Sequence, residues 1–311
     1  MKSFVFKLFL FSLPIAIFFA SMEFLLRRIP NDYYYKKEYL DRHASEIQII
    51  NFGSSHAYYA INPEYFPKNA FNASHVAQRL DYDFEIFNKY KEIFNNLEII
   101  ILPISYFSFW IHQKDWGEAW RVKNYAIYYG IGSNSFINNF EILSISFSNN
   151  TKRLKRYYLN GENEDTSNSL GWGTAFKSED AQDVQSTGIV SIREGVGDVF
   201  SEENIKTFNK SLKILNSFSE FCNQKNVKLI FLTIPCYDTY WENTDAVQRN
   251  KMFETINDFV REHSNCYYFN WSEDSDFVEK DFYNASHLNE IGAEKLTKKL
   301  NHAIDSLSNI K

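Results

Sequence analysis

The four letters Asn-Ala-Ser-His occur twice in 311 residues, at 72–75 and at 284–287, each time after an aromatic. A third hydroxyl cluster, Gly53-Ser54-Ser55-His56, precedes the first copy. Serine beside histidine suggests acyl chemistry. A hydroxyl becomes a nucleophile when a base lies within hydrogen-bond reach and a third group holds the base in one tautomer. Ser54 or Ser55, on a turn that glycine allows to bend sharply, is the candidate hydroxyl. His287 is the candidate base. Asn284, three residues earlier, or Asp281, six earlier, is the candidate orienting group. Plainer roles stand beside these: a turn hydrogen bond for the serines, an Asx-turn for Asn284, and packing or local bonding for His56 and His75.

For such groups to meet, the chain must carry them to one edge of a scaffold. Apolar runs at 46–52, 68–72, 98–104, 227–235 and 266–271 read as strands. Helical spacing marks 81–97, where Phe84, Phe87, Tyr90 and Phe94 share a face, and also 204–226, 245–263 and 289–307. The alternation predicts an α/β fold: three α/β/α layers around a mostly parallel sheet of about five strands. Ligands bind such sheets beyond the carboxyl ends of the strands. The turns at 53–56, 72–75, 103–106 and 235–237, and the segment ending at His287, therefore share one rim. Tyr237, Tyr240 and Trp241 lie there too, as aromatic faces able to stack on sugars.

Residues 8–26, LFLFSLPIAIFFASMEFLL, hold a single charge, Glu23. As a helix they span about 28 Å, close to the hydrocarbon thickness of a bilayer. A cleaved signal peptide would want small residues at −3 and −1, and Phe18 occupies −3 of a cut after Ala20. The expected organisation is an uncleaved anchor at 1–28, a juxtamembrane linker at 29–45, and an α/β domain at 46–311 outside the cytoplasm. That domain carries an insertion at about 105–200, with a glycine-punctuated loop in which Trp172 has little core to join. A net charge of −6 gives no nucleic-acid footprint. Three scattered cysteines make no disulfide framework, and the histidines lack metal-ligand spacing. No glycine-rich phosphate loop is present, so no cofactor or metal is expected.

With these residues in view, the layout resembles the SGNH/GDSL hydrolase superfamily, in particular its membrane-anchored bacterial branch associated with acylation of cell-surface polysaccharides. Gly53-Ser54-Ser55 stands where the family has Gly-Asp-Ser, which makes Ser55 the match. Asn284-Ala285-Ser286-His287-Leu288-Asn289 stands for the family's Asp-x-x-His-Leu-Asn. The likeness covers about 46–110 and 204–303. It implies a membrane-anchored esterase or O-acyltransferase acting on acyl groups, acetyl foremost, of a cell-surface glycan, with a membrane protein as possible acyl donor. It also implies oxyanion donors near Ala77 and Ser105, where the family has glycine and asparagine.

The departures have costs. An asparagine can accept the His Nδ1–H but cannot balance an imidazolium, and the Asp→Asn change in a serine triad can cost roughly 10⁴ in turnover. Losing an oxyanion donor costs about 3–4 kcal/mol. Asn72, Gln78 and Tyr106 are neighbouring candidates to compensate, with His56 and Tyr237 on the substrate side of the rim. The same departures motivate a second expectation, a catalytically degenerate protein of the cell envelope that binds a glycan or a partner.

Overall fold

The N-terminal apolar run forms one helix, α1 (Lys2–Arg27), in a computed structural model that describes residues 2–114, 119–132 and 135–309. This helix is long and apolar enough to cross a membrane. From Phe4 to Phe19 its large side chains stand exposed, whereas Met22 and Leu26 are buried. A second helix, α2 (Asp32–His43), occupies most of the expected linker.

The chain divides into two compact units, residues 1–37 with 117–166, and 38–116 with 167–311. The insertion expected at 105–200 is therefore shared between units. In the first unit, Met22, Leu26 and Ile29 pack against Ile142, Leu154 and Tyr157. Glu141 is wholly buried there and is met by Lys123, Arg153 and the Tyr128 hydroxyl. A buried carboxylate is tolerable only when paired and bonded in this way.

The second unit contains the sheet. Its strands are β1 (Ile49–Asn51), β2 (Ala70–Asn72), β3 (Ile99–Pro103), β4 (Lys228–Thr233) and β5 (Cys266–Asn270), all parallel, in the order β2-β1-β3-β4-β5. Each lies within a predicted run. Successive side chains point to opposite faces. Ile49, Ile99, Ile101, Ile230 and Leu232 join a core with Ala57, Ala60, Leu296, Leu300 and Ile304. These helical partners lie on α3 (Ser55–Ala60) and on the last helix, Glu290–Asn309. The other face is aromatic. Phe52 meets Phe87 of α4 (Leu80–Tyr90) and Phe218 of the helix Glu202–Lys225, while Phe231 meets Phe259 of the helix Ala246–Glu262. The result is an α/β/α sandwich.

The strand order has a reversal. From β1 the chain passes to β2 on one side and later to β3 on the other. Crevices of doubly wound sheets open at such a switch point, beyond the strand ends. The turn after β1 carries Ser55 and the turn after β3 carries Ser105, on the two sides of that crevice.

Candidate active site

Gly53 sets the geometry of the first turn. Its φ of +122° lies in the region that only glycine adopts easily, and an added Cβ would stand 3.0 Å from Ala57 Cβ. Its N–H donates to Asp83 Oδ1 at 2.8 Å. The chain then enters α3. Ser54 is the N-cap, its Oγ accepting from the His56 N–H at 3.3 Å. Ser55 is the first helical residue, so its own N–H has no intrahelical acceptor. The two candidate serines thus separate cleanly: one caps the helix, the other projects a partly exposed hydroxyl.

The candidate base comes from a short hairpin absent from the sequence reading, β6 (Phe282–Asn284) with β7 (His287–Leu288). Asn284 Oδ1 accepts from the Ser286 N–H at 3.1 Å, an Asx-turn. A backbone N–H can only donate, so this bond fixes which way the amide faces. The same oxygen lies 3.0 Å from His287 Nδ1, so Nδ1 carries the proton and Nε2 is left as an acceptor. Nε2 stands 2.8 Å from Ser55 Oγ. The chain of acceptance therefore runs from the Ser55 O–H to Nε2 and from Nδ1–H to Asn284. Ser286 Oγ, 2.8 Å from Nδ1, adds a second polar neighbour that the sequence reading overlooked.

The hairpin is fastened from two sides. The Tyr237 N–H, just past β4, donates to the Ala285 carbonyl at 2.8 Å, and the Ala285 N–H donates to Thr187 Oγ1 at 3.0 Å. Burial and then the neighbouring His56 ring hold His287 well below the usual imidazole range. The two rings meet edge-on at 5.1 Å. His56 is itself pushed down to about 4 by burial and by the Arg79 charge. Both are therefore neutral, and His287 is ready to accept a proton at neutral pH.

The rim around His287 is aromatic. Tyr59, Phe176 and Tyr283 form a continuous stack, with centroids 3.6 and 3.9 Å apart. Phe176 and Tyr59 also present faces or edges to His287, at 5.1 and 5.9 Å. Phe176 comes from the glycine-punctuated loop, where no periodicity singles it out. Trp172, in the same loop, has a core to join after all: it is buried, its indole N–H donating to the Tyr59 carbonyl at 2.7 Å.

Several expected partners face elsewhere. Asp281 is buried with its carboxylate on the Val278 N–H and the Lys295 ammonium, so it does not orient His287. Asn72 is not a substrate group. Its Nδ2 donates to the Ala57 and Ile61 carbonyls, tying down the end of α3. Gln78 donates to Asp83 Oδ1 at 2.6 Å, the same oxygen that holds Gly53. Asp83, unnoticed in the sequence, thus bridges the Ser55 turn and the loop containing Ala77, and burial pushes its carboxyl up to about 7. Tyr106 is buried with its hydroxyl accepting from the Asp245 N–H. Tyr237 acts through its backbone while its ring packs on Phe282. Ser105 Oγ pairs with His56 Nδ1 at 3.0 Å, so both belong to the wall of the crevice. Ala77 sits at φ +61°, a left-handed conformation that a glycine would adopt without strain.

Among the described residues, no group of three or more His, Cys, Asp or Glu could hold a metal. No family model and no curated protein matches the chain.

Proposed function

We propose that the chain is a serine esterase or O-acyltransferase of the SGNH kind, tethered by α1 to a membrane with its α/β domain on the extracytoplasmic side. Its substrates would be acyl groups, acetyl foremost, of a cell-surface polysaccharide. One observation carries the chemistry: Ser55 Oγ lies 2.8 Å from His287 Nε2 while Asn284 Oδ1 takes the far nitrogen. The glycan and the membrane donor protein rest on the family resemblance; the aromatic rim at Tyr59, Phe176 and Tyr283 suits a sugar.

In this reading Ser55 Oγ attacks the acyl carbonyl as its proton passes to His287 Nε2. The carbonyl π electrons move onto oxygen, and the oxyanion is met by the Ser55 N–H and the Ala77 N–H. The intermediate collapses, the C–O bond to the leaving alcohol breaks, and His287 returns the proton to that alcohol. Water or a sugar hydroxyl then enters by the same steps in reverse. Asn284 fixes the tautomer without supplying charge, so the imidazolium is stabilised less than beside a carboxylate.

The neutrality of Asn284 favours a second reading, a glycan- or partner-binding protein that has lost catalysis. One experiment separates the two. Full-length protein in nanodiscs is treated with a fluorophosphonate probe and assayed on an acetyl ester. Covalent labelling that disappears in Ser55→Ala and His287→Ala supports the enzyme. A folded wild-type protein that takes no label and turns over no ester would establish the binder instead.

A further inference from the structure

Glu23, the one charge in the apolar run 8–26, is fully occupied. Its two oxygens accept the N–H groups of Glu141 and Ile142 at 3.1 and 3.0 Å, and Arg27 Nε donates to it at 2.6 Å. Two further bonds pin the same segment, from Arg27 to the Asn139 carbonyl and from the Tyr158 hydroxyl to the Leu25 carbonyl. The last turns of α1 are thus sheathed by residues 136–159 of the same compact unit. A carboxylate bonded in this manner does not belong in the hydrocarbon layer.

The remaining lipid-compatible stretch, Phe4 to Phe19, is short. At 1.5 Å per residue it covers about 24 Å, against roughly 30 Å of hydrocarbon. A span that is too short must be completed by its flanks or the bilayer must thin. The flank here is apolar. Phe136 (71% exposed), Ile137, Leu143, Phe147 and Leu159 (77% exposed) project outward from the sheath. The Phe147 ring stands 6.5 Å from Phe18, so this surface is continuous with the exposed face of α1. The helix Phe147–Asn160 also carries exposed Lys152 and Lys155, the basic complement expected of a helix lying in a headgroup layer.

We propose that residues 136–159 form a membrane-seated collar, whose exposed apolar side chains enter the interfacial layer around α1. The occupant of this surface is lipid, and the inference rests on the reading of α1 as an anchor.

The test uses the full chain in nanodiscs. Single cysteines are placed by Phe136→Cys, Phe147→Cys and Phe11→Cys and labelled with an environment-sensitive fluorophore. The three native cysteines are buried, and unsubstituted protein sets their background. Lipids carrying a nitroxide on the upper acyl chain serve as quencher. The collar predicts quenching at positions 136 and 147 at least half as strong as at 11, with nitroxide-free lipid setting zero. If 11 is quenched while 136 and 147 stay at zero, the collar is wrong and the anchor stands. If 11 escapes as well, the anchor reading fails and the collar with it. A concentration-dependent blue shift at 136 and 147 without lipid quenching would assign the surface to a second copy and overturn the proposal.

Discussion

The two Asn-Ala-Ser-His segments are identical in sequence and nearly identical in local form. In each, the asparagine Oδ1 accepts the serine N–H two residues on, at 3.1 Å in both. They differ in what lies beyond the turn. At the end of β2, Asn72 directs its amide hydrogens into the Ala57 and Ile61 carbonyls, and His75 is 1% exposed. At the end of β6, Asn284 instead meets a histidine ring that reaches Ser55. The same four residues thus secure a helix end in one place and hold an imidazole against Ser55 in the other. A motif of this length fixes a turn; the strand it leaves and the element it faces decide its use.

Substitutions can break this contrast, beginning with the largest effect. His287→Ala should lower ester turnover by at least about 10³-fold. His75→Ala should leave the folded fraction able to label at Ser55, and equal losses in the two variants would end the distinction. Next, Asn284→Asp should raise turnover and shift the pH profile. In the proposed mechanism the base acts unprotonated, and burial with His56 lowers the His287 pKa, so wild-type kcat/KM should persist to well below pH 6.5. A carboxylate favours the charged imidazole, so the acid limb should move to higher pH. An unmoved limb would mean that Nδ1 does not face residue 284 in solution.

Asn72→Ala acts on stability instead. It removes the Nδ2 donor from the Ile61 carbonyl and one of two donors from the Ala57 carbonyl, and should lower unfolding free energy by about 1–2 kcal/mol in urea titrations. A variant as stable as wild type would show that Asn72 does not hold α3. The smallest effect concerns Ala77. Relief of its left-handed backbone by Ala77→Gly should add about 0.5–1 kcal/mol of stability with labelling retained. A loss of stability would place the strain elsewhere.

The sheet was legible because its strands are buried on both faces and therefore read as unbroken apolar runs. Ile99–Pro103 and Lys228–Thr233 fall inside 98–104 and 227–235. Ser55 and His287 were legible because strand ends gather at one rim whatever the loops do. Helix α3 was not, since six residues after a glycine are too few to show a period. Phe176 and Asp83 were hidden for a related reason: a stack and a bridging carboxylate depend on which loops meet, and spacing along the chain carries no trace of that. Asp281 misled because sequence nearness to His287 says nothing of direction, and its carboxylate turns toward Lys295.

The bonds at Glu23 also impose an order on biosynthesis. The N–H groups that satisfy this carboxylate belong to residues 118 and 119 positions further along the chain. At ribosomal speeds of 5–20 residues per second, they emerge roughly 6 to 24 s after Glu23 itself. Through that interval Arg27, four residues on, is the partner at hand, and a helix that serves as the proposed anchor stays free to slide or tilt until Glu141 and Ile142 arrive.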